Sequence, residues 1–239
     1  MKEPILLSLV IPCYNEGANV PLLLDRLESL GRHIADVEFI VVDNGSTDTT
    51  PALFVQAANV HSYIRTVRVE KNQGYGFGIL CGLRQAKGRY IGWTHADLQT
   101  DPADVLRALE ILKAWGLPEK IFLKGMRYGR PLSDRLFTAG MGIFESVLFM
   151  RPLWDINAQP NIFPRALFAA WENPPHDFSL DLYALVTAGR FGYPVRRFPV
   201  AFINRLHGSS SWNINWKAKF KFIKRTIDFS LRLRWRKDR

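Results

Sequence analysis

The stretch Tyr90-Ile91-Gly92-Trp93-Thr94-His95-Ala96-Asp97-Leu98-Gln99 joins an apolar run to a short polar segment. Its first five residues read as a buried strand. The next five deliver a carboxylate and an amide to the point where that strand ends. Parallel α/β sheets bind ligands in the crevice outside the carboxyl ends of their strands. A carboxylate there can hold a hard divalent cation, and the cation can neutralise a diphosphate. Asp97 could instead only cap a helix beginning near Pro102. Two further acidic loops, each after its own apolar strand, favour the ligand-binding reading.

Upstream, residues 6–11 are apolar and run into Pro12-Cys13-Tyr14-Asn15-Glu16-Gly17. The spacing of Leu23, Leu27 and Leu30 predicts a helix over 19–30, stopped by Gly31. Residues 37–42 predict a second strand, followed by Asp43-Asn44-Gly45-Ser46-Thr47-Asp48. Thr49-Thr50-Pro51 then opens a helix with proline in its first turn. A third strand is expected over 64–69, a glycine-rich entry and helix over 74–87, the fourth strand over 90–94, a helix over 102–115 and a fifth strand over 120–123. This alternation predicts a largely parallel, doubly wound α/β sheet flanked by helices. Downstream, 135–150 reads as an amphipathic helix with Phe137, Met141, Phe144 and Leu148 on one stripe, too short to span a bilayer. Residues 160–163 and 195–203 are expected as added strands, and 180–188 as a helix ending at Gly189.

A chain of 239 residues with 47% hydrophobic content suits one large α/β domain with a full core. Cys13 and Cys81 belong to no CxxC pair and are read as reduced and buried. Lys2 and Glu3 flank a short apolar run that behaves as a first strand rather than a signal peptide. No apolar run is long enough for a transmembrane helix, so the expected location is cytoplasmic. The formal net charge is +10, and from Trp212 onward ten Lys or Arg face two Asp. A tail of that kind attracts phosphates on lipid or nucleic acid. Within it Trp216, Phe220, Ile223, Ile227 and Leu231 recur at spacings of four and three. That pattern fits an amphipathic helix lying in a membrane interface. Nucleic-acid binding and a packed, solvated helix compete with it.

Each acidic loop has a plain structural role beside its functional one. Asp43 can accept hydrogen bonds from a nucleobase or ribose, or cap the turn 45–48. Tyr14 can stack on a base and Glu16 can bind its edge or a ribose hydroxyl; Asn15 and Glu16 can equally start a helix. Asn72-Gln73-Gly74-Tyr75-Gly76-Phe77-Gly78 offers glycines where a backbone approaches closely, to a phosphate or merely in a tight turn.

Four segments together resemble the family 2 glycosyltransferases, whose nucleotide-sugar-binding fold is termed GT-A. They are Val10-Ile11-Pro12-Cys13-Tyr14-Asn15-Glu16, Val41-Val42-Asp43-Asn44-Gly45-Ser46-Thr47-Asp48, Asn72-Gln73-Gly74 and Ala96-Asp97-Leu98-Gln99. The last is similar to the dolichol-phosphate mannosyltransferase branch, as are Gly125-Met126-Arg127-Tyr128, Ser133-Asp134-Arg135, the loop from Asp155 to Phe163 and Arg205-Leu206-His207-Gly208-Ser209-Ser210-Ser211. The resemblance covers roughly residues 5–213. It implies a glycosyltransferase domain over 1–211, with a donor half to about 124, an acceptor half from about 125, and a separate basic tail over 212–239.

It further implies that Pro12, Tyr14, Glu16, Asp43, Asn72, Gly74, His95, Ala96, Asp97 and Gln99 bind a GDP- or UDP-linked sugar. Mg²⁺ or Mn²⁺ would sit on Asp97 and Gln99, with His95 standing where the branch has the first acid of Asp-x-Asp. Arg127 and Arg135 would hold the phosphate of a polyprenyl-phosphate acceptor, Asp155 would lie near the sugar, and Arg205 would clamp phosphate in either substrate. Gln159-Pro160-Asn161 replaces the branch's small-residue-glycine pair. The implied reaction is direct displacement with inversion, at the cytoplasmic membrane face, where the basic tail would meet anionic lipid; no nucleic-acid partner is expected. Two rivals remain: transfer to a glycan hydroxyl, with Asp181 as the general base, and a non-catalytic nucleotide-sugar binder.

Overall fold

The apolar runs of the first half become the centre of one sheet. In the computed structural model the chain forms β1 (Leu7–Cys13), α1 (Val20–Gly31), β2 (Val37–Asn44), α2 (Thr50–Val60), β3 (Ile64–Val69), α3 (Tyr75–Gln85), β4 (Tyr90–Trp93) and α4 (Asp104–Ala114). It continues through β5 (Phe122–Tyr128), α5 (Leu132–Phe149), β6 (Asn161–Pro164), α6 (Arg165–Ala169), α7 (Leu180–Arg190), β7 (Val195–Ala201) and α8 (Trp216–Trp235). The structure describes residues 4–31, 34–203, 205 and 216–236, without the side chains of Ser133, Phe137 and 216–222. The expectations for Lys2, Glu3, the segment 206–215, the Trp216 and Phe220 side chains and residues 237–239 lie outside it.

The seven strands lie in the order β3-β2-β1-β4-β6-β5-β7. β1 pairs in parallel with β2 and β4, β2 with β3, and β5 with β7. Only β6 runs against its neighbours, β4 and β5. The chain winds outward from β1 to β3 and then returns to place β4 on the other side of β1. That reversal opens a crevice at the carboxyl ends of β1 and β4, where Pro12–Glu16 and Thr94–Gln99 emerge.

Alternation along the strands builds two cores. Leu7, Leu9, Ile11, Phe39 and Val41 face α1, α2 and α4. Val10, Ile40, Val42, Ile91 and Trp93 face α3 and α7 on the other side. A sheet buried on both faces requires such continuous apolar runs; β2 is buried along its whole length.

Several boundaries move. β5 was expected to stop at residue 123, yet residues 124–128 continue it, because β7 pairs with it from Phe122↔Val195 to Tyr128↔Ala201. That partner is remote in sequence and invisible to local periodicity. Cys13 is buried, but Cys81 only half so; both are free. The distal half of α8 docks through Phe229, Ser230 and Leu233, not along the expected stripe: Leu231 is exposed and Ile223 and Ile227 are half-buried. The cause is polar as well as apolar. Ser230 Oγ donates at 2.6 Å to Glu145 Oε1, a carboxylate buried on α5, and Arg190 and Arg234 bind the carbonyls of Leu233 and Leu148. No helix among the described residues is long and apolar enough to cross a membrane.

Candidate active site

The loops after β1 and β2 are tied together by side chains. Asn15 N–H donates to Ser46 Oγ at 3.0 Å, Thr47 N–H to Asn15 Oδ1 at 2.9 Å and Gly17 N–H to Asp48 Oδ2 at 2.8 Å. Asn15 itself has φ 53°, a conformation asparagine tolerates well. Asp43, buried at the end of β2, accepts Ser46 N–H on Oδ1 at 2.8 Å and Arg68 Nη1 on Oδ2 at 2.9 Å. It therefore caps its turn with one oxygen and is charge-paired through the other. Glu16 accepts from Asn19 Nδ2 at 2.5 Å, at the start of α1. Tyr14 stands half-exposed on the rim.

Asn72 and Gly74 hold the next loop. Asn72 Oδ1 accepts Gly74 N–H at 2.8 Å, and Gly74 O accepts Asn44 Nδ2 at 2.9 Å. The close approach read from the glycines is to the chain itself. Gly74 has φ +110°, and a Cβ on it would collide with the carbonyl of His176; one on Gly76 would meet the carbonyls of Pro175 and Asp177. Glycine at both positions lets the 175–177 segment lie on the entry to α3.

Asp97 does not cap the following helix; α4 has Ala103 at its N-cap without a side-chain cap, and the turn before it is held by Asp101, which accepts Ala103 N–H at 2.8 Å. The buried Asp97 accepts Gln99 N–H on Oδ1 at 3.1 Å and Arg205 Nη2 on Oδ2 at 2.6 Å. Arg205 Nε also reaches Gln99 Oε1 at 3.3 Å, and Ile203 N–H donates to Gln99 O at 2.9 Å. The chain leaving β7 is thus laced to the loop leaving β4. Ala96 is buried beneath it, and His95 stacks on Tyr75 at 5.4 Å between ring centroids.

Among the described residues no group of three or more His, Cys, Asp or Glu side chains could hold a metal by itself. One buried carboxylate lies beside an amide, at a cleft rich in acids. Burial pushes the Cys13 thiol well up, and the nearby Glu16, Asp43, Asp97 and Asp48 carboxylates push it further. This donor set fits a hard cation shared with a diphosphate, since Mg²⁺ characteristically takes one or two carboxylates plus substrate phosphates. Asp97 would supply the carboxylate oxygen and Gln99 its amide oxygen.

Beneath His95 runs a buried polar network. Asp181 Oδ1 accepts Gln159 Nε2 at 2.8 Å and Asn161 Nδ2 at 2.9 Å, and Gln159 Nε2 also reaches Tyr75 Oη at 3.2 Å. Lys124 Nζ donates to Ala158 O at 2.6 Å and to Asn161 Oδ1 at 2.5 Å. Burial pulls the fully enclosed Lys124 amine down to about 7, against the nearby charge of Asp181. Burial pushes the Asp181 carboxyl up, opposed by Lys124 and His95.

Beyond β5 lies a guanidinium cluster. Arg127 Nε donates to Asp155 Oδ1 at 2.9 Å, its backbone N–H to Oδ2 at 3.0 Å, and Nη2 closes a further short contact to Oδ1. Arg130 Nη1 reaches the same oxygen at 3.4 Å, and its Nη2 donates to Thr138 Oγ1 at 2.8 Å. The Phe202 ring lies 5.2 Å from the Arg127 guanidinium and 5.7 Å from that of Arg130. Arg197 binds the carbonyl of Trp154. Burial pushes the Asp155 carboxyl up, but its bonds to Arg127 outweigh this and hold it below the usual range. A cavity of about 400 Å³ lined by Tyr128, Gly129, Ala201, Phe202 and Ile203 opens alongside. Arg135 stands exposed on α5, and its charge acts on the Arg130 guanidinium.

The structure therefore brings Asp97, Gln99 and Arg205 together, and Arg127 with Asp155. Sequence reasoning missed Arg130, Arg197 and Lys124. Lys124 did carry a signal, a lysine inside the apolar strand Phe122-Leu123-Lys124-Gly125; the two arginines carried none.

The model for Glycosyl transferase family 2 matches residues 8–134. The chain is 35% identical over 114 residues to undecaprenyl-phosphate 4-deoxy-4-formamido-L-arabinose transferase of Yersinia pestis, an alignment that covers 46% of this chain and only 35% of that relative. It is 26% identical over 243 residues to dolichol-phosphate mannosyltransferase of Mycosarcoma maydis, covering 92% of this chain and 78% of the relative. The fold superimposes on the mannosyltransferase PcManGT from Pyrobaculum calidifontis, solved with GDP-Man and Mn²⁺, with TM-score 0.69 at 20% identity, covering 96% of this chain and 64% of that one. Glucosyl-3-phosphoglycerate synthase from Mycobacterium tuberculosis gives TM-score 0.73 at 17% identity, covering 98% and 81%. The strand order, the acidic crevice between β1 and β4 and the match over residues 8–134 agree: the chain belongs to glycosyl transferase family 2.

Proposed function

We propose that the chain transfers a sugar from a GDP- or UDP-linked donor to a polyprenyl phosphate, with a divalent cation on the diphosphate and inversion at the anomeric carbon. The observation that carries this reading is the convergence of Arg127 and Arg130 on the single carboxylate of Asp155, with Arg197 beside them. Three guanidinium groups against one carboxylate leave excess positive charge, and guanidinium forks suit a phosphate. Both relatives above are named for transfer to a polyprenyl phosphate, and the solved neighbours were captured with a nucleotide sugar and Mn²⁺.

In this reading Tyr14, Glu16 and Asp43 hold the nucleoside, while Pro12, Asn72, Gly74 and Ala96 shape its loops. Asp97 and Gln99 address the cation, and His95 packs beside the sugar. When bound, the cation neutralises charge that develops on the leaving nucleoside diphosphate. Arg205 supplies a second positive group at the same oxygens. Arg127, oriented by Asp155, takes the acceptor phosphate, with Arg130 behind it and Arg135 at the entrance. An ionised phosphate oxygen needs no strong base to remove a proton. Asp181, with Oδ1 committed to Gln159 and Asn161, is left to position the floor of the site. Such an acceptor places the reaction at a membrane surface, on its cytoplasmic face.

A thermal-shift panel of nucleotide sugars with and without Mn²⁺ identifies the donor, because a ligand that binds only the folded state raises its apparent stability. Labelled donor is then offered with a short-chain polyprenyl phosphate. Label in the lipid phosphate, retained in Asp181→Asn, supports the reading. Transfer only to a glycan hydroxyl, lost in Asp181→Asn, replaces it with the base-catalysed one. Donor binding without turnover leaves a nucleotide-sugar binder.

A further inference from the structure

Lys124 takes no part in the proposed reaction, yet it stands where the two halves of the site meet. It closes the short β5–β6 ladder, directly opposite Asn161, and its side chain is wholly buried. On one side, Asn161 Oδ1 accepts from Lys124 Nζ at 2.5 Å, and Asn161 Nδ2 donates to Asp181 Oδ1 at 2.9 Å. Gln159 Nε2 joins the same Asp181 oxygen and reaches Tyr75 Oη at 3.2 Å. Tyr75 in turn stacks on His95. That arm ends in the loop that carries Asp97.

On the other side, Lys124 Nζ donates to Ala158 O at 2.6 Å, and Ala158 N–H donates to Asp155 O at 3.0 Å. Gly125 N–H donates to Pro160 O at 2.9 Å, and a Cβ on Gly125 would collide with the carbonyl of Gln159. The segment 155–160 therefore lies tightly over β5, pinned by one ammonium. Its first residue, Asp155, holds Arg127 by both carboxylate oxygens. Burying an ammonium is unfavourable, and an apolar side chain of the same length would avoid that penalty. Burial accordingly pulls the amine down to about 7; Asp181 on α7 and Asp155 oppose the shift, while Arg197 on β7 and Arg127 on β5 add to it. These groups belong either to the network under His95 or to the guanidinium cluster, so Lys124 is the one side chain in contact with both.

We propose that Lys124 is a positioning residue for the acceptor phosphate: its ammonium sets the segment 155–160, and through Asp155 the direction of the Arg127 guanidinium. This rests on the reading in which Arg127 takes a lipid phosphate. Asp97 keeps its own partners, Gln99 and Arg205, so affinity for the donor does not depend on Lys124.

Geranyl phosphate and the nucleotide sugar picked out by the thermal-shift panel are titrated separately into the full chain, as wild type and as Lys124→Met. Methionine keeps an unbranched stem and drops the charge. The variant should bind geranyl phosphate about tenfold or more weakly, as a misaligned binding group does, and should keep its donor affinity. In turnover the KM for lipid phosphate should rise likewise while that for the donor holds. In an Arg127→Ala background Lys124→Met should cost no further acceptor affinity, because its route runs through Arg127. Lys124→Met/Asp181→Asn removes both buried charges and leaves an acceptor for Gln159 and Asn161, so it carries the same comparison if the single variant does not fold. Equal geranyl phosphate affinity in wild type and variant overturns the inference alone. So do equal losses of donor and acceptor affinity, or losses that add to that of Arg127→Ala. A wild type that binds the donor but not geranyl phosphate overturns the acceptor reading and this inference together.

Discussion

Arg205 Nη2 donates to Asp97 Oδ2 at 2.6 Å, joining residues 108 positions apart in the chain. The acid of the β4 loop is therefore already paired with a guanidinium that is itself about a quarter exposed, 27% for its side chain against 6% for Asp97. In the proposed reading, a cation brought in with a diphosphate would share Asp97 with Arg205 or displace it. The pair links the loop after β4 to the chain leaving β7.

Asp97→Ala should abolish sugar transfer while the chain stays folded. The lost charge stabilisation at a leaving diphosphate is worth several kcal/mol, so turnover should fall by about a thousandfold or more. Steady-state turnover with saturating Mn²⁺, alongside a thermal melt, checks both halves. Turnover near that of wild type in a folded variant removes Asp97 from the mechanism.

Arg127→Ala and Arg135→Ala should both weaken use of the lipid phosphate more than binding of the donor, Arg127 by the larger margin. Arg127 is mostly buried and bidentate on Asp155, and a lost charge-assisted contact costs about 1.5–3 kcal/mol. Lysine cannot reproduce the fork, so Arg127→Lys should rescue little. Varying lipid phosphate and donor separately decides the matter. A fall in donor affinity with unchanged lipid affinity would reverse the assignment.

Glu145→Gln should stabilise the protein at pH 8 and much less at pH 5. Burial raises the Glu145 carboxyl from 4.5 to about 7, against the hydrogen bond from Ser230, and Oε2 has no hydrogen-bond partner. Below about pH 4.5 the group is protonated in both folded and unfolded chains and costs nothing. As pH rises towards 7 the unfolded chain ionises first, so stability falls; above 7 the loss is constant, on the order of 3 kcal/mol. Glutamine keeps an acceptor for Ser230 Oγ. Melting temperatures of both proteins across pH 5–8 give the difference; one that stays flat shows that Glu145 does not ionise in this window.

Lys124→Ala should destabilise the fold by roughly 3–5 kcal/mol. The amine is fully buried and donates to Ala158 O and Asn161 Oδ1, so truncation strands two acceptors and leaves the nearby Asp181 without its compensating charge. Urea unfolding at equilibrium reads the loss as a lower midpoint at unchanged slope. A shift below about 1 kcal/mol would mean that the network reorganises around the gap.

Local pattern was enough for the chain up to α4. β3 runs from Ile64 to Val69 as its residues predict, and α1, α3 and α4 begin and end within two residues of the expected positions. Asp43 and Asp97 stand at strand ends on one edge because apolar runs and polar loops alternate at fixed intervals there. The glycines of Gly74 and Gly76 were legible as points of close approach, but not what approaches them, which is the segment 175–177.

What the sequence by itself determined, then, is the α/β alternation, the acids at the strand ends and the excess positive charge of the tail, since all of these follow from neighbours in the chain. Tertiary structure alone decided that β6 runs antiparallel between β4 and β5, that Arg205 closes on Asp97, that Arg130 joins Arg127 on Asp155, and that α8 docks through Ser230. Each of these joins residues whose separation along the chain carries no periodic signal. Hydrophobic period records which side of an element is buried, but not which distant element buries it or which charge it meets there.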